Sequence, residues 1–236
     1  MFLPIYLALT AQEFAYSTAI PSTLCYLSCH FSPRGNGLSN IPTVFPEGSI
    51  LCIDDSTPIA NHSTNVVTEQ INTLIQRLRP CGILLDFQRP DNPYAPDMIG
   101  CILEGVSCPV AVSHIYAKEF MCPVFLPPLP FRTALSDYLK TWSDREIWLE
   151  LGNDKEMAIV TENGFGVERV YSIPEGGNQF RDIPLLFHYC THLKQDHIVF
   201  YFHRTEEDLR ELQVQAQKLG VSKFLGLWQQ LQQFYS

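Results

Sequence analysis

Four consecutive residues, Gly82-Ile83-Leu84-Leu85, carry no polar group, and the run stops abruptly at Asp86. Successive side chains of a strand point to opposite faces, so a stretch that is apolar on both must be covered on both. That suits a parallel strand inside an α/β fold and does not suit a hairpin with one wet face. After the run come Asp86, Phe87, Gln88, Arg89 and Pro90. Asp86 and Gln88 are two apart and leave the strand on the same face, so the segment reads as a buried strand delivering polar groups to its C-terminal rim. In an α/β barrel that rim is the mouth, where chemistry is done.

The same grammar recurs along the chain. Phe2 to Leu9 and Leu24 to Phe31 read as strands, with Gln12 to Thr18 as a turn or two of helix between them. A Gly-, Pro- and Asn-rich loop follows, and then Ser49 to Asp55, a third strand ending in two acids. Thr64 to Leu78 places Val67, Ile71, Leu74, Ile75 and Leu78 at helical spacing, and Pro80 ends that helix. The Cys81–Pro90 stretch is the fourth strand. Asp97 to Glu104 is a short helix, Cys108 to Ser113 and Cys122 to Leu126 are the fifth and sixth strands, Phe131 to Trp142 is a helix, and Glu146 to Leu151 is the seventh strand.

The rhythm then changes. Met157 to Thr161, Gly166 to Ser172, Leu185 to Cys190 and His197 to His203 are short β-branched and aromatic runs between turn residues, which predicts an antiparallel meander with a longer loop at Pro174 to Asp182. Alternation resumes with Thr205 as the N-cap of a helix whose buried stripe is Leu209, Leu212, Ala216 and Leu219. Lys223 to Trp228 is an eighth strand and Gln229 to Tyr235 a terminal helix. Eight is the number that closes a barrel. The expectation is a compact (β/α)8 barrel from residues 1–152 and 204–236, with a β-rich insertion at 153–203. An open doubly wound sheet is the competitor, and the absence of Gly-x-Gly-x-x-Gly after a strand weakens its nucleotide-binding version.

The net charge is −9, from 16 basic and 25 acidic residues, with no basic cluster, so nucleic acid is not an expected partner. The apolar N-terminus lacks a charged leader and contains Pro4, which makes it a core strand rather than a signal peptide, and no run is long enough to span a membrane. A cytoplasmic protein without a membrane partner is expected. The eight cysteines lie mostly in apolar runs, where they read as buried thiols rather than bridges. Cys25-x-x-x-Cys29-His30 lacks a second ligand pair, and His188, His192, His197 and His203 read as surface or hairpin-pairing residues, so neither a metal nor a cofactor is expected. Asn61-His62-Ser63 fits a glycosylation sequon, which has no meaning without secretion. No Gly-x-Ser-x-Gly elbow supports a serine hydrolase.

The ordering of elements resembles the chitinase-like, family 18 glycoside hydrolases, whose fourth strand carries Asp-Gly-x-Asp-x-Asp-x-Glu and in which a small β-rich domain often follows the seventh strand. In Cys81-Gly-Ile-Leu-Leu-Asp-Phe-Gln88 the glycine, the last aspartate and the apolar spacing match. Cys81 and Leu84 replace the first two aspartates, and Gln88 replaces the catalytic glutamate. Phe224-Leu-Gly-Leu-Trp228 is similar to the family's final strand, whose tryptophan floors the sugar site. The chain also looks like small barrel proteins of Gram-positive anaerobes.

The resemblance implies a carbohydrate or related polyol ligand gripped by Asp86, Gln88, Arg89 and Trp228. It also implies that position 88 cannot act as the acid, because an amide has no proton to transfer near neutral pH. Three readings stand: a binding protein with a degenerate site, a glycosidase with a relocated acid, and a non-catalytic interaction module with a plugged barrel. Glu150 and Asp54 are the leading substitutes for the acid, with Asp86 as a further catalytic candidate; Asp55 and the Gln12-Glu13 pair follow nearby strand ends. Plainer roles compete at each position: Asp86 can pair with Arg89 or cap a turn, Trp228 can be core, and Asp55 can be a turn residue.

Overall fold

The computed structural model describes residues 3–16, 22–60 and 62–235. Phe2 at the start of the first expected strand, Ser17 and Thr18 at the end of the first helix, and Asn61 of the sequon lie outside the described residues. In chain order the elements begin β1 (Ile5–Leu9), α1 (Ala11–Tyr16), β2 (Leu24–Phe31), β3 (Leu38–Ser39), β4 (Ile50–Asp54), α2 (Thr64–Leu78) and β5 (Gly82–Asp86). They continue with α3 (Ala95–Gly105), β6 (Val110–Ser113), β7 (Val124–Leu126), α4 (Leu135–Lys140) and β8 (Ile147–Glu150). Then come β9 (Lys155–Thr161), β10 (Gly164–Arg169), β11 (Asn178–Asp182), β12 (Phe187–Leu193), β13 (Ile198–His203), α5 (Glu206–Lys218), β14 (Val221–Leu227) and α6 (Trp228–Tyr235).

A nine-stranded sheet runs β1-β14-β8-β7-β6-β5-β4-β2-β3. All its strands except β3 pair in parallel, and β1 bonds to both β14 and β2, so the ring closes into the eight-stranded barrel. Alternation sorts the side chains. Ile83 and Leu85 face outward into the layer shared with the helices, together with Val67 and Ile71 of α2 and Ile99 and Ile102 of α3. Leu84 faces inward with Ala8, Cys25, Cys52, Ala111, Phe125, Trp148 and Leu225. The barrel is therefore packed in its middle, as expected for eight strands, and Asp54, Asp86 and Glu150 follow inward-facing positions at its C-terminal end.

Gly82 is needed where it stands. A Cβ there would meet Trp148 Cη2 at 2.6 Å, so the missing side chain makes room for an indole that reaches across the interior from β8. At the opposite end from the mouth, Lys223 Nζ sits 4.4 Å from the Trp148 ring centre and 3.1 Å from Glu146 Oε1. That arrangement gives the buried indole a cationic partner and the cation a carboxylate.

The insertion is a five-stranded antiparallel sheet, ordered β10-β9-β13-β12-β11, between the seventh barrel strand and its helix. It differs from the expected meander in two respects. Asn178–Asp182, read as loop because Asn and Asp disfavour strands, pairs with β12 and stacks Phe180 on Tyr189 at 5.1 Å between ring centres. The consecutive strands β10 and β11 also lie on opposite edges, so the chain crosses the sheet between them. His188 and His203 face each other across β12 and β13, with rings 5.7 Å apart, as hairpin pairing predicts.

Two residues fasten the sheet to the barrel. Arg204 is buried, donates to the carbonyls of Leu186 and Leu129, and lies over Phe131, 4.6 Å from its centre. Asp208, fully buried, closes a capping box with Thr205 and also takes His188 Nδ1 at 2.7 Å and Arg181 Nε at 3.1 Å. The helix expected over Phe131 to Trp142 is shortened to α4, because Phe131 leaves helical geometry to pack against Phe187 and Phe202 of the insertion. All eight cysteines are free thiols. Among the described residues no helix is long and apolar enough to cross a membrane.

Candidate functional site

Three carboxylates end inward-facing positions on three barrel strands: Asp54 on β4, Asp86 on β5 and Glu150 on β8. Around the ring, β4 and β5 lie on the side opposite β8, so the three acids face one another over the mouth. Glu150 feels this most. Burial pushes its carboxyl up from the ordinary 4.5 to about 7, and the charges of Asp86 and Asp154 push the same way against the pull of Arg169. Asp86 is also raised, first by burial, with Asp54 and Asp55 adding to the effect and a hydrogen bond from Gln88 opposing it. A carboxyl raised to about 7, as that of Glu150 is, can exchange protons with a ligand near neutral pH.

Gln88 places its side chain over this strand end and donates Nε2 to Asp86 Oδ1. Its backbone N–H and that of Arg89 both donate to Asp55, at 2.9 and 3.2 Å. Asp55 is almost wholly buried, so it is a clamp holding the rim after β5 against the rim after β4. Arg89 turns to the Ser56 carbonyl at 2.5 Å, and Tyr116 Oη donates to the Arg89 carbonyl. Asp54 accepts the Ser56 N–H at 2.8 Å, and His30 Nδ1 lies 4.0 Å from its other oxygen.

Gln88 and Arg89 wall a surface groove of about 490 Å³ with Pro58, Ile59, Asn92 and Tyr94. Asp86 and Trp228 are not among its walls. Trp228 is the first residue of α6 rather than the last of the eighth strand, is half-buried, and packs on the outer apolar layer. The strand ends a residue earlier because the chain turns there to lay Leu231 over Gly226, where a Cβ would meet Leu231 Cδ1 at 2.2 Å. Glu13 is occupied by its own helix: Thr10 N and Oγ1 both donate to it at 2.8 Å, and despite the opposing effect of burial these bonds hold its carboxyl below the ordinary range.

Tyr138 is a neighbour that the sequence did not single out. Its hydroxyl donates to the Pro127 carbonyl at 2.8 Å, and burial, together with the charge of Glu150, raises its pKa. Asp154 and Arg169 are the other two; Asp154 follows β8 and Arg169 ends β10, and they pair at 3.8 Å. Arg169 has no periodicity or motif to mark it, since only the folding of the insertion brings it to the rim.

No family model matches the sequence, and no curated protein matches it. Solved structures do. The family GH18 chitinase from Cycas revoluta, in a complex with allosamidin, superposes with a TM-score of 0.59 at 10% identity, covering 94% of this chain and 93% of that one. The Bacillus cereus spore cortex-lytic enzyme SleL superposes with a TM-score of 0.54 at 9% identity, covering 95% of this chain and 70% of that one. At such identities the likeness is one of fold, the eight-stranded α/β barrel.

Proposed function

We propose that the barrel mouth binds a carbohydrate or related polyol, with Asp86 and Gln88 as the central polar pair and Arg89 beside them at the rim. The observation that carries this reading is the Gln88–Asp86 hydrogen bond at the end of the fourth strand, facing Glu150 across the mouth. An amide and a carboxylate side by side offer donors and acceptors suited to vicinal hydroxyls or an acetamido group. The Cycas revoluta chitinase, similar in fold, was solved with (GlcNAc)3, which recommends amino-sugar oligomers as the first ligands to try. The test is a titration of such oligomers followed by tryptophan fluorescence. A saturable change at or below millimolar concentration is expected, and a flat response would count against the reading.

A second reading is favoured by one observation, the carboxyl of Glu150 poised at about 7. In that reading Glu150 replaces the acid missing at position 88 and protonates a glycosidic oxygen while Asp86 orients the substrate. Asp54, tied to Ser56 and beside His30, is the weaker candidate for the same task. Turnover of a chromogenic amino sugar that disappears in Glu150→Gln supports it; turnover indifferent to both Glu150→Gln and Asp54→Asn removes it.

Residues 153–203 are a β-rich insertion in one compact unit with the barrel in this reading, which the contacts of Arg204 and Asp208 between sheet and barrel support. A cytoplasmic setting accords with eight free thiols.

A further inference from the structure

Between the barrel rim and the base of the inserted sheet lies a polar cavity of about 360 Å³, walled by Asn153, Asp154, Lys155, Arg169, Tyr171 and Gln230. The first three follow Glu150 out of β8, Arg169 ends β10, and Gln230 lies in the first turn of α6. The cavity thus adjoins the mouth at β8, and two of its charges act on the Glu150 carboxyl.

Its polar groups are unevenly satisfied. Gln230 accepts the Asn153 N–H at 2.9 Å and donates to Asp154 Oδ1 at 3.3 Å, while Arg169 Nη2 approaches the other Asp154 oxygen at 3.8 Å. The Asp154 carboxylate is therefore compensated by the protein itself. Asn153 Oδ1 is buried away from solvent and has no hydrogen-bond partner among the described residues. Lys155 Nζ makes a long 3.5 Å contact with the Tyr171 carbonyl, which leaves an ammonium with three donors far from saturated. Arg169 is largely exposed and holds Asp154 loosely, so its guanidinium also has donors to spare. The Tyr171 side chain is fully exposed.

We propose that this cavity is a subsite for a sugar unit bearing a carboxylate, with Lys155 and Arg169 taking the carboxylate and Tyr171 lying against the ring. The inference rests on the carbohydrate reading of the mouth and adds which sugars it selects. The three mouth acids repel an anion, so the carboxylate belongs beside the two cations and nowhere nearer Asp86.

The experiment compares two probes on the full chain, a neutral N-acetylated amino-sugar tetramer and the same tetramer with one ring oxidised to its uronic acid. Calorimetry at low and high salt reads both. The acidic tetramer is expected to bind about tenfold tighter at low salt, the gain of one or two charge-assisted hydrogen bonds, and to lose most of that preference at high salt. Combining Lys155→Met with Arg169→Met should erase the preference while leaving the neutral tetramer within about twofold of wild type. Equal binding of the two tetramers by wild type overturns the subsite and leaves the mouth reading standing. A preference that survives the double substitution also overturns it. Binding of neither tetramer overturns both readings. The wild-type comparison at two salt concentrations decides the matter even if the double variant loses its fold.

Discussion

The side-chain amide of Gln88 donates to Asp86 Oδ1, so the two polar residues that end the fourth barrel strand on one face are held against each other. Substituting Gln88→Glu puts two carboxyls in contact, and such a pair cannot ionise fully, so one keeps a proton near neutral pH. Turnover of a chromogenic N-acetylated amino sugar is expected to rise at least about a hundredfold over wild type, the usual contribution of a general acid. Adding Asp86→Ala should abolish the gain. No gain in Gln88→Glu would mean that the mouth lacks the geometry for hydrolysis.

Glu150 makes stability depend on pH in a stated direction. Its folded pKa of about 7 lies above the ordinary 4.5, so the native state binds the proton more tightly than the unfolded chain does. Stability therefore falls as pH rises from about 4.5 to about 7 and the loss is complete above that. Glu150→Gln removes the effect: it should stabilise the protein by about 1–3 kcal/mol at pH 8 and change little at pH 4. Urea denaturation at the two pH values measures it, and equal effects at both would refute the assignment.

Gly82→Ala drives a methyl to 2.6 Å from Trp148 Cη2 and 3.2 Å from the Pro109 carbonyl. Neither the buried indole nor the strand backbone has room to give. A loss of about 1–3 kcal/mol in chemical denaturation is expected, as for other overpacked cores, with the fold retained.

Asp208 joins the insertion to α5. Burial works against its charge, yet bonds from Thr205 and His188 hold its carboxyl below the ordinary 3.8. The stabilisation it gives is therefore present above about pH 4 and is lost as pH falls further. Asp208→Ala should destabilise by about 2–4 kcal/mol at pH 7, through the lost cap and the stranded Arg181 and His188. The difference from wild type should narrow in acid, as denaturation followed by circular dichroism would show.

The barrel was legible in the sequence where local pattern and environment coincide. Gly82–Leu85 is apolar on both faces because both faces are packed, and Thr64–Leu78 and Leu24–Phe31 match the structure residue for residue. Legibility failed where a tertiary partner decides. Asn178–Asp182 becomes a strand only because Tyr189 and its neighbours offer an edge, and Phe131 stays out of the expected helix because the insertion supplies aromatic rings to pack against. The site divides in the same way. Asp54, Asp86, Gln88 and Glu150 announce themselves as polar residues at the ends of apolar strands. Asp154 and Arg169 act on Glu150 only through the folded insertion, and Asp55 reads as a turn residue although it is a buried clamp on the Gln88 and Arg89 amides.

The occupant proposed for the mouth around Asp86 is a carbohydrate. Isothermal titration of a neutral N-acetylated amino-sugar tetramer into wild type and Asp86→Ala, with matched thermal stability, tests it most directly. Saturable binding by wild type that weakens at least about tenfold in Asp86→Ala is the predicted result, the loss expected when a charged hydrogen-bonding partner is removed. Equal binding by the two proteins, or no binding by wild type at millimolar ligand, would contradict it.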